Sequence, residues 1–268
     1  MILINGLSRG QIPVTDRGLQ YGDGVFRTMR AASGRIAWWS DHYAKLSADA
    51  KALGLICPPP DLLLAECLKV AQEHDCVVKL ILTRGVGPRG YAPSGSADPT
   101  RIIQQLPPPA NLARYLDDGI KVRWCSIRLG HQPRLAGIKH LNRLENVLAR
   151  SEWSDPEIAE GLLLDESGRV ISGIMSNILV IRGRTLFTPD LSLCGVAGVG
   201  RQRLMRAAQQ HGMAVRVTHM RPQDVYKADE LGLCNSLIGV WRIRMIEETS
   251  CGNGGWVDKM RVWLDEDD

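Results

Sequence analysis

The sequence predicts a mixed α+β chain in two domains. In the first hundred residues, strand-like apolar runs are separated by stretches with helical period. From residue 120 onward a succession of short strands dominates, and the proline run Pro107-Pro108-Pro109 stiffens the passage from one half to the other. The expected division is residues 1–108 as a small α/β domain, 109–118 as a linker, and 119–268 as a larger domain that includes Lys139.

Taken in order, Gly24 to Arg30 and Ile36 to Trp39 read as strands around the turn AASGR. SDHYAKLSADAKALG follows as a helix, with Ser40 as its cap and Tyr43, Leu46, Ala50 and Leu53 on one stripe. Pro58-Pro59-Pro60 interrupts the chain before a second helix, DLLLAECLKVAQEH. CVVKLILTRG and RIIQQL are strands, separated by GVGPRGYAPSGSADP, a loop long enough to imply a task. After the linker comes the strand IKVRWCSI, then AGIKHLNRLENVLAR, a helix expected to begin at Lys139 with Leu141, Leu144 and Leu148 along one stripe. EGLLLD, RVISG, NILVIRG and TLFTP are short strands. A helix near Val199 to His211, the strand AVRVTHM and the segment ELGLCNSLIGVW complete the core. The tail from Glu247, with CGNGGW and LDEDD, reads as peripheral.

Composition sets limits on function. The 268 residues are 44% hydrophobic and 23% charged, with a net charge of +4, as in an ordinary globular protein. No lysine- or arginine-rich block marks a nucleic-acid or membrane partner. Seven cysteines stand singly at positions 57, 67, 76, 125, 194, 234 and 251, without a CxxC pair. That pattern fits reduced thiols in a cytoplasmic protein better than a disulfide framework or structural zinc. The N-terminus has no signal-peptide layout, and no apolar run approaches the roughly 20 residues of a membrane helix.

Three features carry chemistry, each beside a plainer reading. Lys139 is either a solvated lysine or a desolvated amine, neutral enough to attack a carbonyl. The glycine-rich turn LCGVAGVGRQRLM ends in a helix whose first amides suit a phosphate, or it is only a turn. Arg89 and Tyr91 in GPRGYAP belong to a surface loop, or the arginine grips a carboxylate. Histidines at 42, 74, 131, 140, 211 and 219 lack metal-ligand spacing, so no metal is expected, and neither GxGxxG nor GxxxxGK[ST] is present.

TDRGLQYGDGVFRTMR, TRGVGPRGYAP, AGIKHLNRLENVLAR, SNILV with LFTP, GVAGVGRQ and ADELGLCNS occur in that order. Together they resemble the fold-type IV pyridoxal-phosphate enzymes, the class of D-amino-acid and branched-chain aminotransferases, over about residues 2 to 246. IKHLNRLENVLAR and RGYAP most resemble the aminodeoxychorismate lyases of that class, which make 4-aminobenzoate and pyruvate on the route to folate. An aminotransferase acting on D-amino or branched-chain amino acids, or a catalytically weakened paralogue, is the alternative. The resemblance implies a two-domain α+β fold, pyridoxal 5'-phosphate as cofactor, and a homodimer with shared active sites. It implies that Lys139 holds the cofactor covalently and then moves protons. Val199, Gly200, Ser236 and Asn177 are implied as cofactor-binding, and Arg143 as approaching the ring or substrate. It further implies that Phe26 and Thr28 face the pocket and that Arg89 and Tyr91 reach substrate in the neighbouring subunit.

Two positions depart from the pattern. Relatives carry HxxRL, whose arginine grips the cofactor phosphate; HYAKL puts Lys45 there, keeping the charge but losing the planar fork. Relatives carry a glutamate against the pyridine nitrogen, where RVISG puts Ser172. A hydroxyl can hydrogen-bond that nitrogen but supplies no charge. The expected consequence is a weaker electron sink, more harmful to transamination than to an elimination driven by aromatisation.

Overall fold

The computed structural model describes residues 1–8, 11–93, 98–110 and 112–266. Residues 94–97 of the long loop, Asn111 of the expected linker and the last two residues of the acidic tail lie outside the described residues. The chain forms two compact units: Met1–Pro108 with Ile138–Asn142, and Pro109–Gly137 with Arg143–Asp268.

The first unit contains β1 (Ile2–Ile4), α1 (Arg17–Tyr21), β2 (Gly24–Ala32), β3 (Arg35–Ile36), α2 (Trp39–Ala52), α3 (Pro60–Ala71), β4 (Cys76–Thr83) and β5 (Arg101–Leu106). Its five strands lie in the order β1-β5-β4-β2-β3, all antiparallel. Strand alternation divides the sheet into two faces. Val25, Met29, Val78, Leu80, Leu82 and Ile103 point into a core that also holds Leu46 and Ala50 of α2 and Leu63, Cys67 and Val70 of α3. Phe26, Thr28, Lys79, Ile81 and Gln104 lie on the other, half-buried face.

The first unit differs from the sequence reading at four places. Short β1 and α1 were not foreseen. Ile36 to Trp39 is not a full strand, because β3 ends at Ile36 and α2 starts at Trp39; Trp38, in a left-handed conformation, takes the cap position in place of Ser40. Lys139 does not head a helix, and it does not belong to the second domain. The segment Ile138–Asn142 is extended and pairs with the start of β2. Val25 bridges His140, Phe26 N–H donates to Lys139 O (3.0 Å), and Leu141 N–H donates to Gly24 O (3.0 Å). Period-two alternation then sends Ile138 into the first unit's core. Gly24 makes this approach possible: a Cβ there would sit 2.6 Å from Leu82 O and 2.8 Å from Leu141 Cδ1.

The second unit contains α4 (Leu112–Asp118), β6 (Ile120–Leu129), α5 (Leu144–Arg150), β7 (Ile158–Asp165), β8 (Val170–Gly173), β9 (Asn177–Arg182), β10 (Thr185–Pro189), α6 (Val199–Gln210), β11 (Ala214–Thr218), α7 (Pro222–Tyr226), β12 (Glu230–Asn235), β13 (Gly239–Ile246), β14 (Thr249–Ser250) and α8 (Trp256–Glu266). Its sheet runs β11-β10-β9-β12-β13-β6-β7-β8, with β14 on β13. ELGLCNSLIGVW spans β12 and the start of β13, which pair as an antiparallel hairpin. The expected linker holds α4, a short helix against β13. The tail is not peripheral. Val257, Met260, Trp263 and Leu264 of α8 are buried, and α8 packs on α6, β12 and β13. Glu230 anchors its start, Oε2 accepting the amide of Trp256 at 2.6 Å.

Helix α5 inverts the amphipathic expectation. Leu144, Val147 and Leu148 are 76%, 60% and 57% exposed, whereas Ala149 is fully buried. The apolar stripe read from the sequence is real, but within this chain it faces outward.

Candidate active site

In the first unit the side chains of interest gather on the half-buried face of the sheet. Phe26 and Lys139 are cross-strand neighbours, and the Lys139 amine stands 4.5 Å from the centre of the Phe26 ring. Lys79, opposite Thr28, approaches the same ring at 5.5 Å. Both amines measure to one centroid, so they are no more than about 10 Å apart, with an aromatic surface under each. The sequence reading named Phe26, Thr28 and Lys139; it missed Lys79, which a register of β2 against β4 would have shown.

Behind this face, Lys45 is engaged with a carboxylate that sequence reasoning did not single out. Asp49 of α2 forms ion pairs with Arg27 and Lys45, and its Oδ2 accepts the backbone amide of Lys139 at 3.0 Å. Arg27 also donates to Lys45 O (2.9 Å) and Phe26 O (3.1 Å). Burial pushes the pKa of Arg27 and of Lys45 down, and the Asp49 charge opposes the shift in each case. The ordering is physical: buried cations lose hydration, and a paired anion returns part of it.

Arg89 and Tyr91 stand on the long loop against α1. Arg17, buried, donates from Nη1 to Gly90 O (2.9 Å) and from Nη2 to Tyr91 O (3.1 Å), with Asp23 holding its Nε at 3.0 Å. Gly90 N–H donates to the Tyr21 hydroxyl (3.0 Å). The loop backbone is thus tied to the TDRGLQYGDG stretch, while the Arg89 side chain is exposed and Tyr91 is 86% exposed.

In the second unit, the glycine-rich turn leads into α6 as expected. Gly198 occupies the cap position and no side chain caps the helix. The first amides therefore keep their donor capacity for an anion, reinforced by the helix dipole. Asn177 builds this turn: its Nδ2 donates to Val196 O (2.8 Å) and its Oδ1 accepts Gly198 N–H (3.1 Å). A Cβ on Gly200 would come 3.3 Å from the carbonyl carbon of Asn235, so this glycine lets the helix start lie against the end of β12. Ser236 follows directly and is half-buried, and Asn235 Nδ2 reaches Met175 O at 3.1 Å. Asn177, Val199, Gly200 and Ser236 are thereby brought to one end of the second sheet.

Ser172 lies on β8, buried, opposite Leu163. One residue on, Gly173 packs against a carboxyl group missed by the sequence reading. Glu160 Oε1 accepts the amides of Ile174 (2.6 Å) and Met175 (3.3 Å), and a Cβ on Gly173 would lie 3.2 Å from its Cγ. Burial pushes the Glu160 carboxyl up to about 7, against the opposing pull of those amides. Arg143 takes the cap position of α5 and is half-buried, with burial lowering its pKa. Asn146, one turn on, donates to Ile174 O at 2.8 Å. The helix begins only at Leu144, so Lys139, Asn142 and Arg143 precede its first turn.

His131, Asp165 and Cys194 bring three possible metal ligands within 4.8 Å. Asp165 Oδ2 already accepts Arg169 Nε (2.7 Å), and burial raises the Cys194 thiol to about 12, which disfavours the thiolate a metal needs. Asp165 is engaged in closing the tight β7–β8 turn, its Oδ1 accepting the amides of Ser167 (3.0 Å) and Arg169 (2.8 Å).

The profile of the family described as Amino-transferase class IV matches residues 24–246. The chain belongs to this family. It is 36% identical over 241 residues to an aminodeoxychorismate lyase of Vibrio harveyi, covering 90% of this chain and 89% of that one. A crystal structure of 4-amino-4-deoxychorismate lyase from Pseudomonas aeruginosa superposes with a TM-score of 0.95 at 40% identity, covering 100% and 99% of the two chains. A D-alanine aminotransferase of Bacillus licheniformis is 23% identical over 267 residues, 94% of this chain and 90% of that one. Members of the family are pyridoxal-phosphate enzymes. Each unit by itself offers groups of the chemistry such a cofactor needs: the first an amine beside an aromatic ring, the second helix amides without a side-chain cap and the buried hydroxyl of Ser172.

Proposed function

We propose that this chain is an aminodeoxychorismate lyase, converting 4-amino-4-deoxychorismate to 4-aminobenzoate and pyruvate with pyridoxal 5'-phosphate. The single observation that carries the reading is the 36% identity to a lyase of that name across nine-tenths of the chain, joined to a 40% identical structural neighbour of the same name. When bound, the cofactor supplies the electron sink for the carbon that bears the substrate's nitrogen. Everything else is the work of this chain's side chains and amides.

In the first unit, Lys139 would hold the cofactor through its amine, and that amine would be the base that takes a proton from the carbon bearing the substrate's nitrogen. The same amine then returns a proton to the departing enolpyruvyl fragment. Phe26 and Thr28 form the floor on which the substrate lies. Lys79 adds a second cation to a face that would receive a dicarboxylate. In the second unit, the amides of Val199 and Gly200 with the Ser236 hydroxyl would suit the phosphate, the Ser172 hydroxyl would suit a ring nitrogen, and Asn177 sets the turn. Arg143 lies toward the ring, and Arg89 and Tyr91 reach a neighbouring copy.

The proposed assembly is a cytoplasmic homodimer. Its support is the outward stripe Leu144, Val147 and Leu148 and the exposed Tyr91 on a backbone-anchored loop, surfaces a lone chain leaves wet. All seven cysteines are free thiols, and no helix among the described residues is long and apolar enough to cross a membrane. The test is direct: purified protein, cofactor and enzymatically generated aminodeoxychorismate should yield 4-aminobenzoate and pyruvate in equal amounts. Formation of the cofactor's amine form from an amino donor, with no 4-aminobenzoate, would instead place the chain among the aminotransferases.

A further inference from the structure

The segment that carries Lys139 is gripped at its backbone by a buried charge cluster. Asp49 is 3% exposed and faces inward from α2. Its carboxylate pairs with the Arg27 guanidinium and the Lys45 ammonium, and Oδ2 also accepts the Lys139 amide at 3.0 Å. On the other side of the same residue, the Lys139 carbonyl accepts from Phe26 N–H at 3.0 Å. Ile138, next in the chain, is seated in the core. A lysine side chain has four carbons of free rotation, so its amine can be aimed only if its Cα is fixed. The bond from Asp49 is charge-assisted, about twice as strong as one between neutral groups. This bond ties α2 to a residue ninety positions away in the sequence.

We propose that Asp49 is a positioning residue for Lys139: its carboxylate, held by Arg27 and Lys45, fixes the backbone from which the cofactor-bearing amine projects. The proposal rests on the reading of Lys139 as the cofactor lysine and deepens it. It also gives Lys45 a role toward Lys139 through Asp49, rather than on the cofactor phosphate alone. Arg27 does the same from the sheet: its guanidinium links the strand that flanks Lys139 to the helix that carries Asp49. Asp49 thus joins helix, strand and lysine segment at one carboxylate.

The experiment is amide hydrogen exchange resolved to Lys139, on the full chain with and without bound cofactor. In the unaltered protein the Lys139 amide should exchange at least about a hundredfold more slowly than a free peptide. Asp49→Asn keeps an oxygen acceptor and should retain most of that protection. The paired change Arg27→Met with Asp49→Leu removes the acceptor together with the more buried of its two cationic partners, leaving Lys45, the more exposed one, in place. It should speed Lys139 exchange about tenfold, the worth of one hydrogen bond to a charged group, while β4 amides stay protected. In the loaded enzyme the same pair should lower kcat about tenfold with KM little changed, because no substrate contact is touched. A Lys139 amide that exchanges at the free-peptide rate in the unaltered chain overturns the proposal. So does a paired variant with unaltered Lys139 protection and kcat. If the paired variant does not fold, the unaltered chain and Asp49→Asn decide. Exchange is read without turnover, so a failure of the lyase assignment leaves this result standing, and the reverse holds as well.

Discussion

The two units handle charge in opposite ways. The first concentrates charged side chains: Arg27, Lys45 and Asp49 under the sheet, and Lys79 and Lys139 on its half-buried face. Its precision comes from ion pairs and from one carboxylate shared by several donors. In the second unit the candidate groups are mostly uncharged, Arg143 apart. It offers main-chain amides at the start of α6, the hydroxyls of Ser172 and Ser236, and in Glu160 a carboxyl that burial holds largely protonated below pH 7. The difference teaches a division of labour. The proposed proton transfer needs an amine whose Cα is fixed, and the ionic cluster of Asp49 meets Lys139 at its backbone amide. Phosphate and ring need many weak donors in fixed directions, which backbone supplies without long side chains.

Removing the amine should break the first unit's role most severely. Lys139→Ala is expected to lower 4-aminobenzoate formation by about a thousandfold or more, the scale of a lost acid–base group, with little change in melting temperature. Next in size is a stability effect confined to the second unit. The folded pKa of Glu160 is about 7, above the ordinary carboxyl value of 4.5, so the native state holds a proton the unfolded chain releases. Stability from this group is full below pH 4.5 and is lost as pH rises through 7, by up to about 3 kcal/mol. Urea midpoints measured from pH 4.5 to 8 should fall for the unaltered chain, and Glu160→Gln should flatten that part of the curve.

Gly200→Ala probes the amide cradle. Its methyl group would press on Asn235 at 3.3 Å, and the expected result is about tenfold weaker cofactor binding by spectral titration, with the fold intact. The smallest expected change is Ser172→Glu. Restoring a carboxylate at this position should raise transamination relative to lyase turnover several-fold, roughly 1 kcal/mol in relative barrier. A ratio unchanged by that substitution would remove the electronic argument for a lyase-leaning site.

The deeply buried strands β7 and β9 were legible because apolar runs bounded by Gly or Asp have few other readings. The segment at Lys139 was not. Its helical-looking spacing of Leu141, Leu144 and Leu148 mixes a residue paired with β2 and two that point away from the fold, and periodicity cannot separate a stripe that meets a core from one left outside it. Helix α8 was legible in principle, since Val257, Met260 and Leu264 keep helical spacing, but flanking glycines and the acidic end masked it. Lys139, Phe26 and Thr28 emerged from motif resemblance, and the structure puts Lys139 and Phe26 side by side. Asp49 and Glu160 could not emerge that way. Their significance lies in contacts made by distant backbone amides, at residues 139 and 174, which no local pattern records.

Covalent attachment of the cofactor at Lys139 can be read directly. The protein is loaded with pyridoxal phosphate, reduced with borohydride, digested and mapped by mass spectrometry. The account predicts a single modified peptide, with the mass of one reduced cofactor on Lys139. Modification at Lys45 or Lys79 instead, or no stable adduct at all, would contradict it.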